Sequence, residues 1–497
     1  MKVLITGGAG YIGSHTAVEL LNSGYEIIII DNFFNSDPQV IQLIQRLTGR
    51  QFRYYSVDCC DLQSLHEVFS HEEDIEAVIH FAAHKAVGES VERPLKYYDN
   101  NLNALLSILQ AMEDYGIKNL IFSSSCTVYG NVNLEQLPIA ETTAMQAPTS
   151  PYGYTKQVCE MIIQHQVEST KLKLPEYALK SVLLRYFNPI GAHPSGKLGE
   201  FPQQFTNNVV PVLMEAAFHK TENFKIFGND YNTPDGTCIR DFIHICDLAK
   251  AHVSALQWLC AQENTNFHEV FNAGTGQGHS VLEIVQTLEK VANTQIHYSF
   301  APRRIGDIEQ IYSDARKAQE LLQWKAQFSL EDALAHAWQW QQNLYRDQRF
   351  EVLLIQSESD QEKAFAIRRQ VFVEEQKVSP EEEYDAFESS ARHFLVIDLN
   401  TQQACGTARW RFTDQGIKLE RFAVLASYRS QGVGSVLVEK VLQDIVQHPR
   451  SAGKLIYLHA QVTAMGLYHK FGFQPIGDKF LEANIEHYKM ILPDDAP

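Results

Sequence analysis

Tyr152 and Lys156 have the residue types and the spacing to take a proton from an alcohol. They lie four residues apart in the stretch SPYGYTK (150–156), which opens a run with the apolar spacing of a helix. On a helix the two share a face, whereas Tyr154 points elsewhere and is expected to be a packing or surface residue. A phenol has a pKa of about 10, and lowering it by about three units takes roughly 4 kcal/mol, which nearby positive charge supplies. The pattern predicts that Tyr152 is a base assisted by Lys156.

The stretch KVLITGGAGYIGSHTAVELLNSGYEIIIID (2–31) predicts a cofactor-binding turn. It is typical of a strand, a glycine turn, an amphipathic helix and a second strand. Gly7, Gly10 and Gly13 allow a tight turn, backbone approach to a pyrophosphate at the helix N-terminus, and close packing of helix on strand. Asp31, 18 residues after Gly13, ends the second strand, where a carboxylate binds ribose hydroxyls and repels a 2′-phosphate. The stretch therefore predicts bound NAD rather than NADP.

Further strand–helix units continue to about residue 190. RYYSVDCCD, AVIHFAAHKAVGES, LIFSSSCTVYG and SVLLRYFNPIGA each end an apolar strand in small or polar residues. Ligands of open parallel sheets lie at the carboxyl ends of the strands, so Asp58, residues 81–83, Lys85 and the serines 123–125 are expected around one cleft. A serine hydroxyl there can orient the substrate alcohol against the tyrosine. The predicted fold class is α/β, with a doubly wound parallel sheet.

Composition and charge exclude several classes of function. The 497 residues, 45% of them apolar, suit two or three domains. A net charge of -18 argues against a general surface for nucleic acid or acidic lipid. The eight scattered cysteines form no metal-ligand cluster and are typical of reduced thiols, and no stretch predicts a signal peptide or a membrane span. We expect a cytoplasmic protein with no metal, no membrane and no nucleic-acid partner.

Several independent motifs make residues 1–345 resemble a known family. They are TGGAGYIGSHT, HFAAHKAVGESVERPLKYYDNN, FSSSCTVYG, SPYGYTK, LLRYFNPIGAHPSG, IFGNDYNTPDGTCIRDFIHICDLA, NAGTGQGHSV and APRRIGD. On these motifs the region is similar to the UDP-glucose 4-epimerases of the extended short-chain dehydrogenase/reductase family. The resemblance implies an NAD-binding Rossmann core at about 1–188 and a smaller substrate-binding α/β part mostly within 189–345.

The resemblance also implies roles for the matching residues. The positions that match the family's contacts to a tightly bound NAD are Gly7, Gly10, Tyr11, Ile12, Gly13, Asp31, Asn32, Asn35, Ser36, Asp58, Cys59, Phe81, Ala82, Ala83, Lys85, Asn100, Tyr152, Lys156 and Phe187. Ser125 matches the catalytic hydroxyl, and Tyr152 and Lys156 match the base and its electrostatic partner. The positions that match contacts to the UDP-sugar are Ser125, Tyr152, Asn188, Asn208, Phe227, Arg240, Arg304 and Asp307. The arginines suit a diphosphate, because a guanidinium is a fixed charge with a donor fork.

The implied reaction is epimerisation at carbon 4 of UDP-glucose and UDP-galactose through a transient 4-keto sugar, in a homodimer. Sugar-nucleotide dehydratases of the superfamily have an Asp-Glu pair directly after the catalytic hydroxyl. Here Ser125 is followed by Cys126 and Thr127, which disfavours elimination. Ile311 matches a position that is bulky in some relatives and small in those that accept N-acetyl sugars. Its intermediate size leaves UDP-N-acetylhexosamines as the alternative substrates.

A second domain is predicted at 350–497, after a closing helix and a short polar link near 343–349. LERFAVLASYRSQGVGSVLVEKVLQDIV predicts a strand, a turn with Arg429, Gly432 and Gly434, and a helix whose N-terminus can bind a pyrophosphate. With VFVEEQKVSPEEEYDAFESSARHFLV, GTARWRF, LHAQVTAMGLYHKFGF and FLEANIEHYKM, it makes this region resemble the GNAT acetyltransferases. The resemblance implies a separate α+β fold that uses acetyl-CoA.

The second resemblance implies fewer residue roles. Gln431, Gly432, Val433 and Gly434 match the acyl-CoA turn, and the backbone of 422–424, including Val424, matches the strand that aligns the thioester. Tyr468 matches the donor of a proton to the departing thiolate, with core packing as the alternative. The candidates for a general base are Glu374, Glu375, Asp385, Glu420 and His459. The sequence names no acceptor, and a non-catalytic acyl-CoA-binding or oligomerisation module is the alternative from another class.

Overall fold

The computed structural model describes residues 1–170, 178–201, 208–219, 224–263, 266–304 and 307–493. The chain forms two compact units, Met1–Gln341 and Gln342–Pro497. Residues 494–497, the end of the predicted second domain, lie outside the described residues. None of the helices in the described ranges combines the length and the apolar character needed to cross a membrane.

Strands and helices alternate over most of the first unit. Its strands are β1 (Lys2–Thr6), β2 (Glu26–Asp31), β3 (Arg53–Ser56), β4 (Ile75–His80), β5 (Asn119–Ser125), β6 (Lys180–Tyr186), β7 (Asn188–Ile190), β8 (Phe224–Phe227), β9 (Ile239–Arg240), β10 (Phe242–His244), β11 (Phe267–Ala273), β12 (His279–Ser280), β13 (Tyr298–Ala301) and β14 (Gln310–Ile311). Its helices are α1 (Tyr11–Asn22), α2 (Gln39–Thr48), α3 (Leu62–His71), α4 (Val87–Glu92), α5 (Pro94–Asp114), α6 (Pro151–Thr170), α7 (Val209–His219), α8 (Ile245–Cys260), α9 (Val281–Ala292), α10 (Arg316–Leu321) and α11 (Leu330–Arg349), of which α11 continues into the second unit.

Seven of these strands form one parallel sheet in the order β11-β6-β5-β4-β1-β2-β3. The order reverses between β1 and β4, which opens a crevice at the carboxyl ends of these strands. Successive side chains bury opposite faces: Val3 and Ile5 pack in the cluster with α1, α2 and α8, and Leu4 packs in the cluster with α3, α5 and α6. The predicted doubly wound α/β fold is confirmed.

The shorter strands form a smaller part beside this sheet. β7 pairs with β10, β8 pairs with β13, and β9 lies between β12 and β14. Side chains of α7, α9 and α11 enclose a separate core around them. However, α8 and β11, which both lie beyond residue 188, belong to the main sheet and its layers, since β11 pairs with β6 and α8 packs on α1. The Rossmann core predicted at about 1–188 is therefore too short by these two elements.

The second unit is one mixed sheet with helices on its faces. Its strands are β15 (Phe350–Leu354), β16 (Arg392–Asp398), β17 (Gln403–Thr413), β18 (Gly416–Val424), β19 (Ile456–Gln461), β20 (Gln474–Glu482) and β21 (Ile485–Leu492), and its further helices are α12 (Glu358–Arg368), α13 (Pro380–Glu383), α14 (Val433–Gln447) and α15 (Met465–His469). The sheet order is β15-β16-β17-β18-β19-β21-β20, antiparallel except for β18 and β19. This confirms the predicted strand, turn and helix around Gly432, and the separate α+β fold.

The prediction of a polar link near 343–349 is wrong. These residues form the last turns of α11, and β15 begins immediately afterwards at Phe350. Trp340 and Leu344 are both buried and lie four residues apart, so the apolar stripe of the helix continues through the segment. Polar residues between these positions do not interrupt a helix, because only one face needs to be apolar.

Candidate active sites

The glycine turn between β1 and α1 is closed to any larger side chain. Gly7 has a φ of 66°, and a Cβ there would lie 2.8 Å from the backbone nitrogen of Ala82. A Cβ on Gly13 would overlap the carbonyl oxygen of Gly7. Gly10 is the N-cap of α1 and brings no side chain over the first-turn amides. Backbone donors at a helix N-terminus are thus open to an anion, an arrangement that fits the pyrophosphate of NAD.

Asp31, at the end of β2, is hydrogen-bonded to the glycine turn. Its carboxylate accepts hydrogen bonds from the amides of Ala9 (3.0 Å) and Phe33 (2.9 Å) and from the Ser36 hydroxyl (2.8 Å). Asn35 and Ser36 line a recess beside the glycine turn. Because a carboxylate has lone pairs for further donors, the end of β2 fits a ribose.

The loop after β3 joins the same edge. Asp58 accepts hydrogen bonds from the Asn32 side chain (2.9 Å) and the Cys60 amide (2.9 Å). Burial acts to raise the pKa of Asp58, but these hydrogen bonds outweigh it and hold the pKa below its usual value. The Cys60 thiol donates to the carbonyl of Asn100 (3.4 Å), and Cys59 is buried in the core. Asn32, Asp58, Cys59 and Asn100 thus lie in one neighbourhood, and their contacts to NAD stay a prediction.

The residues after β4 line the other side of the crevice. The amides of Phe81 and Ala82 donate to the carbonyl and the hydroxyl of Thr6 on β1 (3.0 and 3.4 Å). The Lys85 ammonium forms an ion pair of 2.9 Å with Glu200. The other predicted NAD residues outside α6 lie in the segments that follow β1, β4 and β6: Tyr11, Ile12, Ala83 and Phe187.

Ser125 and Tyr152 come together at the carboxyl end of β5. Tyr152 is 8% exposed and Tyr154 is 39% exposed, which confirms the predicted assignment of their faces. Burial raises the pKa of Tyr152, the Tyr186 hydroxyl raises it further, and the Ser125 hydroxyl lowers it. The Ser125 oxygen accepts a hydrogen bond from the Thr127 hydroxyl (3.0 Å), which leaves its own proton for the phenol oxygen.

Lys156 lies one turn after Tyr152 and is also buried. Its ammonium donates to the carbonyl of Ser123 (2.7 Å) and lies 4.8 Å from the centre of the Phe122 ring. Burial lowers the pKa of Lys156 to about 8, and the charges of Cys159 and Glu160 offset part of this effect. The assistance that Lys156 gives to the ionisation of Tyr152 stays a prediction, because the dominant effect of the surrounding protein on Tyr152 is burial.

The predicted UDP-sugar residues gather around the short strands. The Arg240 guanidinium lies 3.8 Å from the Asp307 carboxylate, and the Asp307 amide donates to the Arg304 carbonyl (3.3 Å). The Arg304 guanidinium lies 3.8 Å from the centre of the Phe227 ring. Asn188 begins β7, and Asn208 lies exposed directly before α7. Two arginines, one acid and an aromatic ring thus form one cationic, partly apolar cluster.

The second unit has a comparable glycine turn before a helix. Gly432 has a φ of 95° and is the N-cap of α14. Val433 is buried in the core, and a Cβ on Gly434 would lie 3.0 Å from Leu467. The Gln431 side chain donates to the carbonyl of Ser427 (2.6 Å). This turn follows Val424, the last residue of β18, so the predicted acyl-CoA residues lie in one continuous segment.

Tyr468 lies in α15 and is buried in the core of the second unit. Its ring meets that of Phe422 edge-on, with centroids 5.9 Å apart. Burial raises the pKa of Tyr468, so the hydroxyl keeps its proton at neutral pH. This geometry suits both packing and proton donation, and the catalytic assignment stays a prediction.

Comparison with known proteins follows the same division of the chain. Residues 4–337 match the profile of the family described as GDP-mannose 4,6 dehydratase. The UDP-glucose 4-epimerase of Bacillus subtilis (strain 168) is 48% identical over 341 residues, which are 69% of this chain and 97% of that protein. The chain belongs to the UDP-glucose 4-epimerase family.

Solved structures of epimerases have the same fold as the epimerase-family unit. The UDP-glucose-4-epimerase from Stenotrophomonas maltophila, with bound NAD and formylated UDP-arabinopyranose, is 41% identical with a TM-score of 0.66 over 70% of this chain and 99% of that one. The enzyme from Bifidobacterium longum, in complex with NAD+ and UDP, is 43% identical with a TM-score of 0.65 over 69% and 98%. Residues 354–493 match the profile of the GNAT acetyltransferase domain. The second unit is therefore a GNAT domain.

Sequence reasoning missed two polar clusters in the epimerase-family unit. The first is the ion pair of Glu160 and Arg185, which also binds the Ser124 hydroxyl. The second is Asp241, a fully buried carboxylate that accepts hydrogen bonds from the segments at Thr275 (2.9 Å from the amide) and Ser313 (2.6 Å from the hydroxyl). Glu160 lies four residues after Lys156, so helical spacing alone could have placed it on the inner face of α6.

Proposed function

We propose that the epimerase-family unit interconverts UDP-glucose and UDP-galactose and keeps NAD bound throughout the cycle. The observation that carries the proposal is the buried Tyr152 beside Ser125, at the carboxyl end of β5 in the parallel sheet that also carries the glycine turn after β1. The relatives named above are epimerases, and two solved structures contain NAD. When bound, NAD supplies a hydride acceptor, a hydride donor for the return step and a positive ring beside the phenol.

Side chains of the protein then transfer the proton of the sugar's 4-hydroxyl. Tyr152 takes the proton of the sugar's 4-hydroxyl while carbon 4 loses a hydride, and it returns the proton when the hydride comes back to the other face. Ser125 holds the 4-oxygen against the phenol, since its own oxygen is already oriented by Thr127. Arg240 and Arg304 hold the diphosphate while the 4-keto sugar turns. No net oxidation occurs, so the cofactor is retained.

Elimination of water, the reaction in the description of the matched profile, is not part of the proposal. The groups that directly follow Ser125 are Cys126 and Thr127, and burial raises the pKa of Cys126 to about 12. Neither residue supplies the acid that protonates a leaving hydroxyl. The structure described above therefore favours epimerisation over dehydration.

The test is turnover by purified protein without added cofactor. NAD released on denaturation should approach one per chain, and UDP-galactose should be converted to UDP-glucose. Tyr152→Phe should retain NAD and lose about 10²- to 10⁴-fold in kcat. Tyr154→Phe, on the exposed face of the same turn, is the matched control and should keep full activity. Full activity of Tyr152→Phe would overturn the proposal.

A homodimer belongs to this proposal. Leu95 and Leu106 on α5 are exposed and eleven residues apart, hence on one face of the helix, and Met161 on the adjacent α6 is exposed as well. Leu106→Glu should shift the particle mass measured by light scattering toward that of one chain, 56.5 kDa. A wild-type protein of that mass would contradict the dimer.

We also propose that the GNAT domain transfers an acetyl group from acetyl-CoA to an amine, with Tyr468 protonating the departing thiolate. The turn at 431–434 before α14 and the protonated, buried Tyr468 support it. Release of CoA thiol with a panel of amines, lost in Tyr468→Phe, tests the proposal. Acetyl-CoA binding with no product from any amine would instead favour the non-catalytic module.

The cytoplasm is the proposed location of both activities. The eight cysteines are free thiols in the structure, and seven of them are partly or fully buried. Reduced cysteines of this kind suit a reducing compartment.

A further inference from the structure

Strands β18 and β19 of the GNAT domain pair only over their first residues. Their parallel register joins 417–419 to 456–458. Beyond these residues β18 pairs with β17 as far as Val424, and β19 pairs with β21 as far as Gln461. Within the described residues, the sheet therefore opens between the two strands from Glu420 and His459 onward. In this opening the described residues of β18 have no strand partner on the β19 side, and the Arg429 side chain donates to the carbonyl of Val424 (3.1 Å).

The two faces of the sheet at this opening differ. Leu458 and Ala460 pack in the core with α14, the helix that follows the glycine turn at 431–434. Side chains of a strand alternate between faces, so His459 points to the opposite face. In the acetyl transfer proposed above, the acyl-CoA reaches this opening from the α14 face, which leaves the face that carries His459 to the acceptor.

The imidazole of His459 is held by a carboxylate. Its Nδ1 donates to the Glu482 carboxylate of β20 (2.8 Å), and the hydrogen bond lowers the pKa of Glu482 to about 2. The Phe480 ring packs edge-on against the imidazole, with centroids 4.9 Å apart. The hydrogen bonds found among the described residues engage only Nδ1 of His459, so in the tautomer that carries the Nδ1 proton the lone pair of Nε2 is left for an acceptor's proton.

The other candidates for a general base are each paired with cations. Glu374 pairs with Arg369, Glu375 with Arg429, Asp385 with Arg409 and Arg421, and Glu420 with Arg409, Arg411 and Lys418. Burial acts to raise the pKa of Asp385, but hydrogen bonds and charge from Arg409 hold it at about 2. The lowered pKa values of Glu375, Asp385 and Glu420 make these carboxylates weak bases.

We propose that His459 is the general base of the acetyl transfer and that Glu482 is its positioning residue. The inference rests on the proposed acetyltransferase function. The amine nitrogen forms a bond with the thioester carbon while Nε2 of His459 takes the amine proton. The carbon–sulfur bond then breaks, and the thiolate takes the proton of Tyr468. Solvent receives the proton of His459 and restores that of Tyr468, so the products are an acetamide and CoA thiol.

The test uses the full chain with acetyl-CoA and the amine that the wild type acetylates fastest. His459→Ala should lower kcat about 10²- to 10⁴-fold with the Kd for acetyl-CoA unchanged, and added imidazole should restore part of the rate. Glu482→Gln should cause a smaller loss, since the imidazole is still present but no longer oriented by a carboxylate. His469→Ala removes an exposed histidine of the same domain and should leave the rate unchanged.

The outcomes separate the two proposals. A wild type that acetylates no amine overturns the acetyltransferase function and the role of His459 together. A wild type that is active while His459→Ala retains full rate overturns the role of His459 alone. Loss of rate with loss of acetyl-CoA binding, or without rescue by imidazole, assigns His459 a structural role and also overturns the proposal.

Discussion

Glu160 and Arg185 form a buried ion pair at the carboxyl end of β5. Two hydrogen bonds of 2.9 and 2.6 Å join them, and their side chains are 5% and 6% exposed. The same carboxylate binds the Ser124 hydroxyl, and the guanidinium lies 4.9 Å from the centre of the Tyr129 ring. The pair thereby links α6, which carries Tyr152 and Lys156, to the strands β5 and β6.

Removing one partner of this pair should destabilise the epimerase-family unit strongly. Glu160→Gln leaves the Arg185 charge buried without its counter-ion, which costs about 3–5 kcal/mol. The free energy of unfolding in urea, followed through the transition that releases NAD, measures the loss. Glu331→Gln is the control, because its ion pair with Lys290 is 4.0 Å long and exposed, and it should cost less than about 1 kcal/mol. Equal effects of the two changes would contradict the structural role of the buried pair.

The charge of Lys156 should set the alkaline limit of epimerase activity. Burial lowers the pKa of Lys156 to about 8, so the ammonium that we predict to favour the Tyr152 phenolate is lost as the pH rises through that value. We expect kcat to fall on the alkaline side of about pH 8, and Lys156→Met to have a lower kcat without this step. Steady-state kcat with saturating UDP-galactose across neutral and alkaline pH measures it. A wild-type kcat that stays level through this range would count against the assignment.

Local pattern predicted the parts of the site that are close together in sequence. The spacing of Gly7, Gly10 and Gly13 predicted the turn that the structure shows, and the period of a helix separated buried Tyr152 from exposed Tyr154. The order of strands in a sheet cannot be predicted from the residue pattern within each strand. The pairing of β5 with β6 places Arg185 opposite Ser124, where it meets Glu160 of α6, 25 residues earlier in the chain. This pairing depends on the packing of the whole sheet.

The errors of the sequence analysis have the same origin. The polar residues at 343–349 resembled a link because the buried position of Leu344 within a helix depends on packing. The sequence analysis named no hydrogen-bond acceptor for the Lys156 ammonium, and the structure shows that it is the carbonyl of Ser123. Backbone acceptors are present at every residue, so sequence cannot single one out.

Ile311 should control which sugars enter the pocket. It is 3% exposed and packs with Cys126, which follows Ser125, and with Phe187, which follows β6. Ile311→Ala removes three carbon atoms from this wall, so turnover of UDP-N-acetylglucosamine should rise relative to that of UDP-glucose, at a stability cost of about 2–5 kcal/mol. Val132→Ala shortens another member of the same cluster and should leave the ratio unchanged. An unchanged ratio in Ile311→Ala would show that this wall does not limit the sugar.

A methyl group at Gly7 should remove NAD from the purified protein. In Gly7→Ala the new Cβ would lie 2.8 Å from backbone of Ala82, so the turn after β1 and the segment after β4 must separate. Gly24→Ala is the matched control, since Gly24 also has a positive φ, 85°, but no atom lies within 4 Å of its added Cβ. Both variants carry similar backbone strain of about 1 kcal/mol, and only Gly7→Ala distorts the cofactor turn. NAD per chain after denaturation measures the difference, and equal retention in the two variants would show that the turn does not hold the pyrophosphate.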